Sequence, residues 1–108
     1  MFEDFGKHEH RAMVAAALDL LATFADSEDA RRTILSPWAW DLRQTARRLE
    51  NGGARAAAAE AKAIARIVSA AALGEVTSAE IARAAEAIEV DAQERLAALG
   101  VLRVAMNA

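Results

Sequence analysis

The chain has 108 residues, 13 basic against 16 acidic side chains, a formal charge of −3 at pH 7 and no cysteine. That length suits one domain, small enough for oligomerisation to be a natural source of extra burial, and the missing thiols exclude a disulfide framework or a thiolate metal site. The hydrophobic content of 55% is inflated by thirty alanines, no apolar run reaches the roughly 20 residues that cross a bilayer, and the acidic start Met1-Phe2-Glu3-Asp4 does not look like a secretory signal; a cytoplasmic protein without membrane contact is expected.

Charge is unevenly placed. Residues 1–29 carry −5, residues 30–66 carry +5 and residues 67–108 carry −3. A basic middle between acidic ends reads either as a phosphate-facing surface or as mutual neutralisation of packed helices.

The periodicity predicts an all-α fold of about four helices. The first runs from Lys7 to Ala25, with Val14, Ala17, Leu18, Leu21 and Phe24 on one face and Arg11 and Asp19 off it. Ser27 is placed to cap the next helix, with Glu28 and Asp29 near its positive end. Over 28–50, Ser36-Pro37 can open a fresh helix; yet Leu35, Trp38, Leu42 and Leu49 keep one phase across the proline, which equally allows a single kinked helix. Asn51-Gly52-Gly53 ends it, because Asn and Gly readily take the left-handed conformation.

Two alanine-rich amphipathic segments follow, about 54–73 and 78–99, separated by Gly74-Glu75-Val76-Thr77. Alanine has the best helix propensity, so a long antiparallel hairpin over 54–99 is expected. Thr77 and Glu80 form a capping box, and Ile81, Ala85, Ile88, Ala92, Leu96 and Leu99 trace one stripe to Gly100, which is expected to stop the helix. Beyond it, Val101-Leu102-Arg103-Val104 has strand-like composition. The expected organisation is a helical part over 1–50, a self-association hairpin over 54–99 and an extended tail over 100–108. The self-association residues are Ile64, Ile67, Val68, Ile81, Ile88, Leu96 and Leu99.

Chemistry is scarce. His8-Glu9-His10 is the one histidine cluster, but residues two apart on a helix diverge, so a polar helix start is the reading and no metal site is expected. There is no phosphate loop, dinucleotide fingerprint or nucleophile elbow, and Glu86, Glu89 and Glu94 lie off the apolar stripe as a solvated face. Without groups converging on a pocket, neither an enzyme nor a cofactor is expected. Trp40 differs: it points away from the stripe of Trp38, together with Arg43 and Arg47 at i+3 and i+7. An aromatic beside two guanidinium groups is a base-stacking platform, a phosphate clamp or a protein anchor. Arg48, Arg55, Lys62 and Arg66 extend the same positive surface.

Two resemblances bear on function. A helical N-terminal part, the 54–99 hairpin and the 100–108 segment resemble the layout of small terminase subunits of tailed phages and gene transfer agents. That implies a non-enzymatic homo-oligomeric ring that engages DNA weakly and salt-dependently and presents it to a large motor subunit. Thr77-Ser78-Ala79-Glu80-Ile81-Ala82-Arg83-Ala84 and Leu96-Ala97-Ala98-Leu99-Gly100-Val101-Leu102-Arg103 resemble the second helix and the recognition-helix end of winged-helix domains, which implies a transcriptional regulator; Glu89, Asp91 and Glu94 would oppose phosphate there. A protein-only helical adaptor anchored through Trp40 is the remaining alternative.

Overall fold

Helices joined by short turns make up the computed structural model, which describes the backbone of residues 7–107 and the side chains of residues 11–104. The fold is all-α, with no strand among the described residues. In chain order the elements are α1 (Lys7–Phe24), α2 (Glu28–Ala30), a π-helical turn (Arg31–Leu35), α3 (Ser36–Asn51), α4 (Arg55–Ala72), α5 (Ser78–Glu86) and α6 (Ala92–Asn107).

Helix α1 is the hub. Ala12, Met13, Ala16, Ala17, Leu18, Leu20 and Leu21 are all buried, more than one stripe can hold, because α1 packs against α5 and α6 and also touches α4 and the π turn. A helix apolar on most sides is one surrounded by neighbours. Ser27 caps the run that follows, its Oγ accepting from the Ala30 N–H at 3.2 Å.

From Glu28 to Asn51 the chain stays helical without interruption, widened by the π turn immediately before Ser36-Pro37. This decides between the two readings of residues 28–50 in favour of one run. Pro37 has no N–H to donate, and in a tight α-helix its ring would press on the carbonyl one turn back. Winding that turn as π, with the Ser36 N–H donating to the Arg31 carbonyl, makes room for the ring. Leu35 and Trp38 both remain in the core as a result.

The hairpin that forms is not the one the composition suggests. Helix α4 pairs along its length with α3, not with the segment after it. Ala39, Ala46, Ala57, Ala61 and Ala65 are buried with Leu42, Ile64 and Val68, so short side chains let two backbones approach closely. A tight turn joins the pair: Gly53 at φ 85 closes α3, with the Ala54 N–H donating to the Leu49 carbonyl and the Gly53 N–H to that of Glu50. Gly74 at φ 75 ends α4 in the same manner, a left-handed step that glycine takes without steric penalty.

The segment expected as one helix over 78–99 is two, broken after Glu86. Helix α5 opens on the Thr77–Glu80 capping box and carries a second cap from outside: the Asp26 carboxylate accepts from both the N–H (3.1 Å) and the hydroxyl of Ser78. The break follows from Ile88 and Val90, β-branched residues that are half-buried against the core and poor helix formers, and from Asp91, whose carboxylate accepts from the Gln93 N–H at the start of α6. A straight helix would leave α1 after three turns, whereas the corner lays both α5 and α6 on it.

Two further expectations fail at the C-terminus. Gly100 lies inside α6 and does not stop it, and residues 101–107 continue as helix instead of an extended tail. Leu102, 2% exposed, is buried in the core beyond the glycine, and that burial outweighs the roughly 1 kcal/mol that an interior glycine costs a helix. Asp19, expected off the buried face, is half-buried and grips Arg95 in a two-pronged ion pair at 2.6 and 2.7 Å, fixing α6 to α1.

A basic groove along the α3–α4 hairpin

The antiparallel register of α3 and α4 is read from two rim contacts: the Arg43 guanidinium donates to the Ser69 hydroxyl at 3.3 Å, and Lys62 pairs with Glu50. On the side where these contacts lie, a shallow depression of about 450 Å³ is bounded by Glu50, Arg55, Lys62 and Arg66 over the small side chains of Ala58 and Ala59. It continues past Lys62 and Arg66 to Arg43, Ser69, Ala70 and Leu73. Arg55, Lys62 and Arg66 share one side of α4 because they stand at i, i+7 and i+11. On α3 the facing wall is Arg43, with Arg47 one turn further on the same flank.

Five of the cations named from the sequence therefore gather on one face. Arg48 is exposed but lies about 100° around α3 from Arg47, so it belongs to a different side of the hairpin. Among the described residues the guanidinium groups of Arg47, Arg55 and Arg66 make no hydrogen bond or salt bridge; their charge is directed to solvent. The carboxylate inside this row is Glu50, held below its ordinary value first by the hydrogen bond and charge of Lys62 and more weakly by Arg55. Glu75 stands at the far end.

The two tryptophans separate as their spacing predicts. Trp38 is 9% exposed within the core, whereas Trp40 is 58% exposed. With Arg43 facing Ser69, the register carries Trp40 to the level of Ala72, next to Leu73, which is itself 74% exposed. The sequence reading missed Leu73; its position at i+7 from Arg66 was the available signal.

The expected self-association residues are mostly spent inside the chain. Ile64, Val68 and Ile81 are buried, Ile67, Ile88 and Leu99 are half-buried against the core, and Leu96 stands in solvent at 67% exposure. Helix α6 presents Val101 and Val104 as well. Its surroundings are acidic: Glu86, Glu89 and Asp91 are exposed, while Glu94 is half-buried and so not part of a solvated face. The winged-helix resemblance needs two helices and a hairpin over residues 77–104: the two helices are there, broken after Glu86, but residues 101–104 continue α6 and form no hairpin.

No group of three or more candidate metal ligands occurs among the described residues; the side chains of His8, Glu9 and His10 lie outside them. None of the described helices is long and apolar enough to cross a membrane. No protein-family model matches the chain, and no curated protein or solved structure matches it either.

Proposed function

We propose that the chain is a non-enzymatic DNA-handling protein whose α3–α4 face binds nucleic-acid phosphates. The observation that carries this reading is the row of Arg43, Arg47, Arg55, Lys62 and Arg66 on one side of the hairpin, where the guanidinium groups of Arg47, Arg55 and Arg66 make no hydrogen bond or salt bridge to the described residues and only Arg55 feels a nearby carboxylate, Glu50. A cation that the fold does not use still bears the cost of repelling its neighbours, and a line of them is what a polyanion neutralises. In an acidic chain with pI near 5.4 the binding is weak and steeply salt-dependent, since each phosphate contact releases counterions. The terminase-like form of the reading adds assembly into a homo-oligomer and delivery of DNA to a large motor subunit.

The test is an anisotropy titration of labelled DNA over a series of salt concentrations. Arg47→Glu with Arg66→Glu is expected to weaken binding at least tenfold and to flatten the salt slope by about two, with the thermal midpoint unchanged because neither side chain holds the fold. Equal affinity and slope in the double variant would remove DNA from this face.

A second reading, a protein-only adaptor, is favoured by one feature: Trp40 and Leu73 are exposed at the same end of the hairpin, and aromatic anchors beside a polar rim mark protein interfaces. Capture of a partner that is insensitive to salt, without DNA binding, would select it.

A further inference from the structure

Resting on the phosphate-binding reading, we propose that the α3–α4 face takes a single strand in preference to duplex, with an unpaired base stacked on Trp40. The indole is the feature that phosphate binding alone leaves unused. Burying a tryptophan removes a large apolar surface from water, and two residues earlier Trp38 does so; Trp40 leaves more than half of its surface exposed. It stands one turn before Arg43 and two before Arg47, on the flank of α3 beside the depression and not among the residues that line it. Duplex DNA keeps its bases stacked inside and offers such a ring only groove edges. A single strand offers π-faces, and every base has one.

The groove fits a strand in its other dimensions. Its floor is made of Ala58, Ala59, Ala65 and Ala70, and the long side chains that cross between the two helices, Lys62 to Glu50 and Arg43 to Ser69, do so at the rim. Arg55, Lys62 and Arg66 follow one another along α4 at roughly 10 and 6 Å, given about 1.5 Å per residue. From Arg55 to Ala72, the level of Trp40, the row extends about 26 Å, room for the roughly four nucleotides at the small end of single-strand sites. Of the two carboxylates along the row, Glu50 is paired with Lys62, and Glu75 stands at the end beside Leu73, where the proposed contact is a stacked base and not a phosphate. An acidic peptide would also meet the cations, but it has no flat ring to lay on the indole at each position.

Trp40 reports on its own occupancy. Binding of an oligothymidylate is expected to quench the exposed indole while buried Trp38 continues to emit, and the quenchable component should vanish in Trp40→Phe. By anisotropy, oligothymidylate should bind more tightly than a blunt duplex of equal length at the same salt. Trp40→Leu should lower oligothymidylate affinity about fivefold or more, with duplex affinity unchanged, and Trp40→Phe should recover part of the loss because a smaller ring still stacks. Circular dichroism of both variants, superimposable on that of the wild type, establishes that the fold is intact.

Equal losses for strand and duplex in Trp40→Leu, or oligothymidylate binding without quenching, would overturn the stacking proposal while leaving phosphate binding in place. Polyglutamate that quenches Trp40 as fully as oligothymidylate does would also overturn it, and would point to a protein partner. Failure of both strand and duplex to bind would defeat the phosphate reading itself.

Discussion

Around α1, helices α5 and α6 are tied down by polar links spanning long stretches of sequence, whereas α3 and α4 meet through small apolar side chains and keep their polar contacts at the rim. In the first region the Asp19–Arg95 ion pair and the Asp26–Ser78 cap join residues 76 and 52 positions apart. In the second, Glu50–Lys62 and Arg43–Ser69 only decorate an interface that alanines have already closed. The contrast has a consequence for function: a hairpin that holds itself together by apolar contact leaves its arginines available, while the α1–α5–α6 region spends Arg95 on the fold.

The comparison breaks first at α1, which touches both regions. Leu21 is fully buried there, and Leu21→Ala is expected to cost about 2–5 kcal/mol through lost transfer energy and the cavity left behind. If the regions share one core, helix content and the fluorescence of Trp38 in α3 must fall together in a single urea transition. Two separated transitions would show that the hairpin folds independently of its neighbours.

A smaller perturbation should separate what Leu21 joins. Arg95→Ala removes a paired guanidinium whose side chain is 25% exposed, with Asp19 at 34%. Solvent screening tempers the loss to about 1–2 kcal/mol. Hydrogen exchange should speed up in α6 and at the facing turns of α1, while α3 and α4 keep their protection. Uniform acceleration across the chain would mean that α6 is bound into the whole fold more tightly than the Asp19–Arg95 pair alone suggests.

How much of this was legible follows the range of the interactions. Ser27, the Thr77–Glu80 box and the Asn51-Gly52-Gly53 turn are local devices, readable because the residues that cooperate are three or four apart. The choice of α3 as partner for α4 is not local: alanine permits close packing without naming the helix that packs. Asp91-Ala92-Gln93-Glu94 did carry a capping pattern at the start of α6, obscured by an apolar stripe that continued in phase through Ile88. Gly100 misled because its intrinsic cost to a helix is visible in sequence and the burial of Leu102 that offsets it is not. On the groove, the i+3 and i+7 spacing placed Trp40, Arg43 and Arg47 together, and the same helical arithmetic could have added Leu73 at i+7 from Arg66 and set Arg48 apart; what only the interhelical register supplies is which residues of α3 face which of α4.

The smallest effects distinguish the polar links of the two regions by their chemistry. Asp26 is held below its ordinary value by the hydroxyl and then the backbone N–H of Ser78, and Glu50 by its bond to Lys62. A carboxylate with a lowered folded pKa adds stability that is fully present above its unfolded value, near 4, and is lost as pH falls through the folded one. Asp26→Asn and Glu50→Gln should therefore each lower the urea midpoint slightly at pH 7, and the gap from the wild type should close below about pH 4 in both. Salt parts them. Ser78 is neutral, so the Asp26 effect should persist at 1 M sodium chloride; the Glu50–Lys62 pair is a direct contact between opposite charges open to solvent and should lose more of its effect where the screening length falls to about 3 Å. Equal salt sensitivity in the two variants would show that Asp26 acts through the nearby charge of Arg31 and not through the α5 cap, and would bring the two regions closer in kind than their contacts indicate.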